Sequence, residues 1–142
     1  MSIAGEPVAV EMEVAQAKPF CQLLHFRRQL SRPRKDPKVL LVAPLSGHHA
    51  TLLRDTVRAL LPEHEVWVTD WIDARMVPLA EGRFDLDDYV DYVISMLHLL
   101  GGDCHVIAVC QPSVPVLAAV ARMEADGDPY VPHSMVLMGG PI

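Results

Sequence analysis

The stretch His105-Val-Ile-Ala-Val-Cys110-Gln-Pro-Ser-Val-Pro-Val-Leu-Ala-Ala-Val120 holds the residues best arranged for chemistry. An apolar, mostly β-branched run stops at a cysteine, and an apolar run that permits a helix starts almost at once. A strand, a sharp turn and a helix in that order hold the side chain at the tip of the turn clear of the backbone, where a nucleophile meets its substrate. Here that side chain is Cys110, and a thiol so placed attacks an ester carbonyl through sulfur. Such turns usually have glycine two residues before and two after the nucleophile. In this chain Ala108 and Pro112 take those places. Ala108 is small, and Pro112 suits the first turn of a helix, where its missing N–H has no partner anyway. Gln111 keeps its backbone N–H, the oxyanion donor of this geometry. The competing reading of Cys110 is an inert thiol at the end of a buried strand.

The segment Pro44-Leu-Ser-Gly-His-His49 follows another apolar run and sits where a second oxyanion donor belongs. Two N–H groups aimed at one point stabilise the charge that grows on a tetrahedral intermediate. Leu45 is the preferred donor and Ser46 the alternative. Gly47 lets the loop turn tightly, and with His48 it lies where substrate binds. His48 and His49 are expected to shape this loop, and service as a substitute base is the lesser reading. The plain alternative is an ordinary turn between a strand and a helix.

These residues need a scaffold, and the rest of the sequence alternates as one should. Val39–Ala43, Glu65–Asp70, His105–Val109 and Ser134–Met138 read as strands. The continuous apolar runs among them suit a buried parallel sheet. Helical spacing covers His49–Leu61, with Leu52, Leu53, Val57, Leu60 and Leu61 on one side. Asp85–Leu100 is the strongest helix, capped by Asp85 and stopped by Gly101-Gly102, with an apolar stripe of Leu86, Tyr89, Val90, Val93, Leu97 and Leu100. Ser113–Glu124 is a third helix. The order β-α-β-α-β-α-β implies a mainly parallel sheet with helices on both faces. Before it, residues 7–28 carry a weak period-2 signal broken at Pro19, which suggests an antiparallel hairpin. Residues 27–38 supply six basic side chains and two prolines, and a solvated connector is the favoured reading over a phosphate-binding or granule-surface patch. The expected division is a hairpin and connector over 1–37 and an incomplete α/β domain over 38–142.

Composition narrows the function classes. The chain has 142 residues, 51% of them hydrophobic and 21% charged, enough to bury a core. A net charge of -6 argues against a nucleic-acid partner. No apolar run approaches the roughly 18 residues of a membrane span, and the N-terminus lacks the pattern of a secretory signal. The three cysteines do not form a disulfide framework. On one strand, Cys104 and Cys110 would lie about 20 Å apart, beyond the roughly 7 Å reach of a bridge. A cytoplasmic setting with free thiols fits. No histidine or cysteine spacing suggests a metal site, and no cofactor is expected.

Ala43-Pro-Leu-Ser-Gly-His-His-Ala-Thr-Leu-Leu-Arg-Asp-Thr56, Trp67-Val-Thr-Asp-Trp71 and Ala108-Val-Cys-Gln-Pro112 resemble the intracellular polyhydroxyalkanoate (poly-3-hydroxybutyrate) depolymerase family over roughly residues 20–142. The resemblance implies an α/β-hydrolase fold, a cysteine nucleophile at Cys110, and cleavage of a stored polyester at cytoplasmic granules. It implies water or a thiol such as coenzyme A as acyl acceptor. A triad in this fold runs nucleophile, acid, histidine along the chain. After Cys110 the candidates are Asp126, Asp128 and His133. All are expected at the N-terminal edge of the sheet, away from the thiol. The sequence therefore reads as the N-terminal part of a longer catalytic domain, expected to be inactive alone and to self-associate. Polyhydroxyalkanoate synthases also use a cysteine in this fold, but their elbow typically keeps its glycines. A non-catalytic granule-binding fragment and an inert α/β fragment are the remaining alternatives.

Overall fold

The computed structural model describes residues 1–3, 5–45 and 52–142. A short ribbon of β1 (Ser2–Ile3) and β2 (Glu6–Pro7) precedes the main sheet. That sheet contains β3 (Val10–Lys18), β4 (Cys21–Arg28), β5 (Lys38–Val42), β6 (Glu65–Trp71), β7 (Cys104–Val109) and β8 (Ser134–Met138), in the order β3-β4-β6-β5-β7-β8. β3, β4 and β6 pair antiparallel, and β6, β5, β7 and β8 run parallel. The hairpin turns at Pro19-Phe20, and β4 joins it to the parallel strands through β6. Three helices connect the strands, α1 (Arg54–Leu60), α2 (Leu86–Leu100) and α3 (Ser113–Ala125). This is the mainly parallel, helix-covered sheet of a partial α/β-hydrolase fold, with an N-terminal antiparallel hairpin.

Local chemistry accounts for the element ends. Asp85 accepts from the N–H groups of Asp87 and Asp88 while the Asp88 carboxylate accepts from the Asp85 N–H, a reciprocal cap that starts α2. Gly101 ends it at φ +74°, a conformation that favours glycine. Two short 3₁₀ turns, Ala74–Met76 and Leu79–Glu81, fill the connection from β6 to α2.

Strand alternation and register sort the two faces of the sheet. Trp71 meets Tyr89 of α2 edge-on at 4.4 Å between ring centroids. Thr69, Leu40, Val42, Cys104, Val106 and Ala108 share that face and are fully buried there. α3 packs beside α2. On the opposite face Val57 and Leu61 pack by Val68, under α1. Further along that face Ile107 and Val109 are only half-buried, and Val136 and Met138 are exposed.

Three expectations need correction. Leu86 does not belong to the apolar stripe of α2. It is 55% exposed at the first helical position, and Met96 takes its place in the core. Leu52 is likewise 56% exposed, ahead of the described part of α1. The connector is shorter than expected: Arg27 and Arg28 close β4 and Lys38 opens β5, while residues 31–35 between them are exposed, as a solvated connector is. Arg28 donates to Leu61 O at 2.8 Å and to Asp36 Oδ2 at 2.7 Å, with 4% of its side chain exposed. A buried guanidinium persists because both the ion pair and the carbonyl satisfy it.

Candidate active site

The β7 ladder continues one residue past the strand, where the Cys110 N–H donates to Met138 O at 2.7 Å. The chain then reverses. Cys110 has φ +68° and is the one non-glycine residue with positive φ among the described residues. Its carbonyl accepts from the Ser113 N–H at 3.1 Å, closing a tight turn, and the Val116 N–H donates to Pro112 O at 3.0 Å to begin α3. A side chain forced into this region costs about 1–3 kcal/mol, so surrounding packing must impose it. Ala108 is fully buried below the turn and Pro112 is buried beyond it. The Cys110 side chain itself is exposed. The other two thiols differ. Cys21 and Cys104 are fully buried, and burial pushes both thiols up from the ordinary range.

The loop after β5 reaches the same turn. Ala43 anchors it: its N–H donates to Thr69 Oγ1 at 2.8 Å, and its carbonyl accepts from the Trp71 indole N–H at 2.9 Å and from the Tyr89 hydroxyl at 3.5 Å. Side chains thereby replace a strand partner for a fully buried peptide. Two residues on, the exposed Leu45 donates its N–H to the side-chain Oε1 of Gln111 at 3.4 Å. The structure thus brings Leu45, Cys110 and Gln111 together at the C-terminal ends of adjacent parallel strands, the position where open α/β sheets bind ligands. Ser46, Gly47, His48 and His49 lie outside the described residues.

The remaining ionisable candidates stand elsewhere. The His133 N–H donates to Cys104 O at 2.8 Å, at the start of β7, and its Nε2 lies 3.5 Å from Asp103. Asp128 holds His98 at 2.5 Å and accepts from the Tyr130 N–H at 2.8 Å. Asp126 lies at the end of α3, 4.0 Å from Arg122. His25 stacks on Trp67, His64 contacts Leu60 O, and His105 contacts Ser134. None of these five histidines is hydrogen-bonded to Cys110. Among the described residues no three His, Cys, Asp or Glu side chains gather to hold a metal ion, and no helix is long and apolar enough to cross a membrane.

Gly139 and Gly140 follow β8 directly. A Cβ on Gly140 would sit 2.0 Å from Ser113 Oγ and 2.9 Å from Cys110 O. The glycine therefore lets the end of β8 press against the turn that displays the thiol. A second glycine after a strand that already has its stop signal is the trace this leaves in sequence.

No protein-family model and no curated protein matches the sequence. Solved structures share the fold. The chain is similar to an N-formylmaleamic acid deformylase from Pseudomonas putida, with a TM-score of 0.64, 16% identity, and coverage of 93% of this chain and 48% of that one. It is similar to a proline iminopeptidase-related protein from Thermus thermophilus, with a TM-score of 0.61, 15% identity, and coverage of 93% and 45%. A naproxen esterase (carboxylesterase) from Bacillus subtilis gives a TM-score of 0.59, 15% identity, and coverage of 91% and 42%. The chain spans less than half the length of these three structures.

Proposed function

We propose that the chain is the nucleophile-bearing half of an α/β-hydrolase esterase that cleaves ester bonds through Cys110. The carrying observation is an exposed thiol on a positive-φ turn between a parallel strand and a helix. In this reading Cys110 Sγ, as thiolate, adds to the ester carbonyl carbon. The oxyanion of the tetrahedral intermediate accepts from the N–H groups of Gln111 and Leu45, with Ser46 as the alternative to Leu45. Collapse breaks the C–O bond, the departing alkoxide takes a proton and leaves as an alcohol, and an acyl-cysteine thioester remains. Water, or a thiol such as coenzyme A, then takes the acyl group and returns the thiol. A base in the whole protein carries the protons, and Gly47 and His48 line the substrate side of the loop. For Leu45 to serve, its N–H must exchange the Gln111 amide oxygen for the oxyanion.

For the substrate we propose a polyhydroxyalkanoate such as poly-3-hydroxybutyrate, attacked at the surface of its storage granules in the cytoplasm. The support is the resemblance carried by the residues around Pro44, Trp67 and Cys110, with residues 38–142 supplying the catalytic portion. Both parts of the proposal are tested in the whole protein with 3-hydroxybutyrate oligomers. Wild type should release monomer and accumulate a thioester at Cys110, visible by mass spectrometry after acid quench. Cys110→Ala should lower turnover by several orders of magnitude. Undiminished turnover in that variant would overturn the nucleophile. A Cys110-dependent esterase that ignores the oligomers but cleaves simple esters would overturn the substrate alone.

A further inference from the structure

A cavity lies away from the thiol. It has a volume of about 600 Å³ and opens between the hairpin, one face of β6 and α1. That is within the usual range for a small-molecule site, roughly 300–1,000 Å³. Met12, Phe26, Val57 and Val68 form apolar walls, and Arg54 and Arg58 stand on its helical side. Phe26 pairs with Val66 near the start of β6, so the cavity belongs to the N-terminal half of the sheet and to the face under α1. Cys110 lies past the opposite end of β7, two strands away.

The charge of the cavity has one sign. Among the described residues no acidic one lines it. Strand alternation accounts for this: Glu11 and Glu13 flank Met12 but turn to the other face, where they meet Gln29 and His25. Arg54 has no ion-pair partner among the described residues. Arg58 has only Asp55, at 3.8 Å with both side chains well exposed, a weak contact in water. Two like charges one helical turn apart repel each other. An anion between them would remove that repulsion, and a carboxylate matches the guanidinium fork. Behind the arginines the walls are mostly apolar, including the 61%-exposed Met12.

We propose that this cavity binds an aliphatic carboxylate, with its head on Arg54 and Arg58 and its chain along Met12, Phe26 and Val57. The site is independent of the chemistry at Cys110. The test is calorimetric titration of the chain with decanoate below its micellar concentration, beside decyltrimethylammonium as a probe of equal chain length and opposite charge. Decanoate should bind and the cation should not. The exposed pair Arg54→Gln/Arg58→Gln should weaken decanoate at least tenfold with an unchanged unfolding temperature. Met12→Glu, which places an anion on the apolar wall, should weaken it similarly, and Cys110→Ala should leave it unchanged. Equal binding of both probes, no binding of decanoate, or full affinity in the double arginine variant would each overturn the proposal.

Discussion

Gly140 has no room for a side chain because Ser113 fills the space: a Cβ there would lie 2.0 Å from the Ser113 hydroxyl oxygen and 2.2 Å from its Cβ. Ser113 is fully buried in the first turn of α3, so it cannot swing away. Gly140→Ala should therefore destabilise the chain by about 1–3 kcal/mol, the usual cost of overpacking. Ser113→Gly in the same chain should recover part of that loss, and thermal unfolding of the two variants measures it. A Gly140→Ala chain as stable as wild type would mean that β8 does not brace the turn.

The positive φ at Cys110 separates stability from chemistry. An L side chain in that region costs about 1–2 kcal/mol, whereas glycine adopts it freely. Cys110→Gly should thus be more stable than Cys110→Ala by about 1 kcal/mol after the entropy cost of glycine. That corresponds to a rise of about 3 °C in unfolding temperature for a domain of this size. Alanine the more stable of the two would show that the turn relaxes when the thiol is removed.

Burial predicts which cysteine reacts. Cys110 is exposed, while Cys21 and Cys104 are fully buried with thiols pushed up. Brief iodoacetamide treatment of the folded chain should alkylate Cys110 and leave the other two until denaturant is added. Peptide mass spectrometry reads the order, and early labelling of Cys104 would contradict the packing of β7.

The acid limb of stability should depend on Asp128. The Tyr130 N–H, and then His98, hold its carboxyl below the usual carboxylate range. A carboxylate lowered on folding contributes fully above its unfolded value, near pH 4, and loses that contribution as pH falls through the lowered folded value. Asp128→Asn should flatten the decline of unfolding temperature below about pH 4. An unaltered acid limb would assign that decline to other groups.

The apolar runs made much of this scaffold legible. Ser134–Met138 is the observed β8, and the Asp85 cap and Gly101 stop bound α2 because those residue types each favour one backbone conformation. The elbow was legible for the same reason, since a strand that ends in Cys-Gln-Pro before a helical run has few ways to turn. Leu86 was misjudged because helical spacing alone does not say where a helix first meets the sheet. The support of Ala43 by Thr69, Trp71 and Tyr89 was not legible, because it joins residues 26 to 46 positions apart through side chains that propensity treats singly. The meeting of Leu45 and Gln111 across 66 positions has the same character.

The anchoring of Ala43 sets a boundary in time as well as in space. Its amide is held by a buried hydroxyl and its carbonyl by a buried indole, although it stands outside the strand ladder. Exchange of that amide with deuterated water should proceed only through opening of the core, as slowly as its neighbours in β5. The Leu45 amide, two residues on and held by a single long bond to an exposed side chain, should exchange orders of magnitude faster. The last slow proton and the first fast one would then lie two residues apart, with Pro44, which has no amide proton, between them.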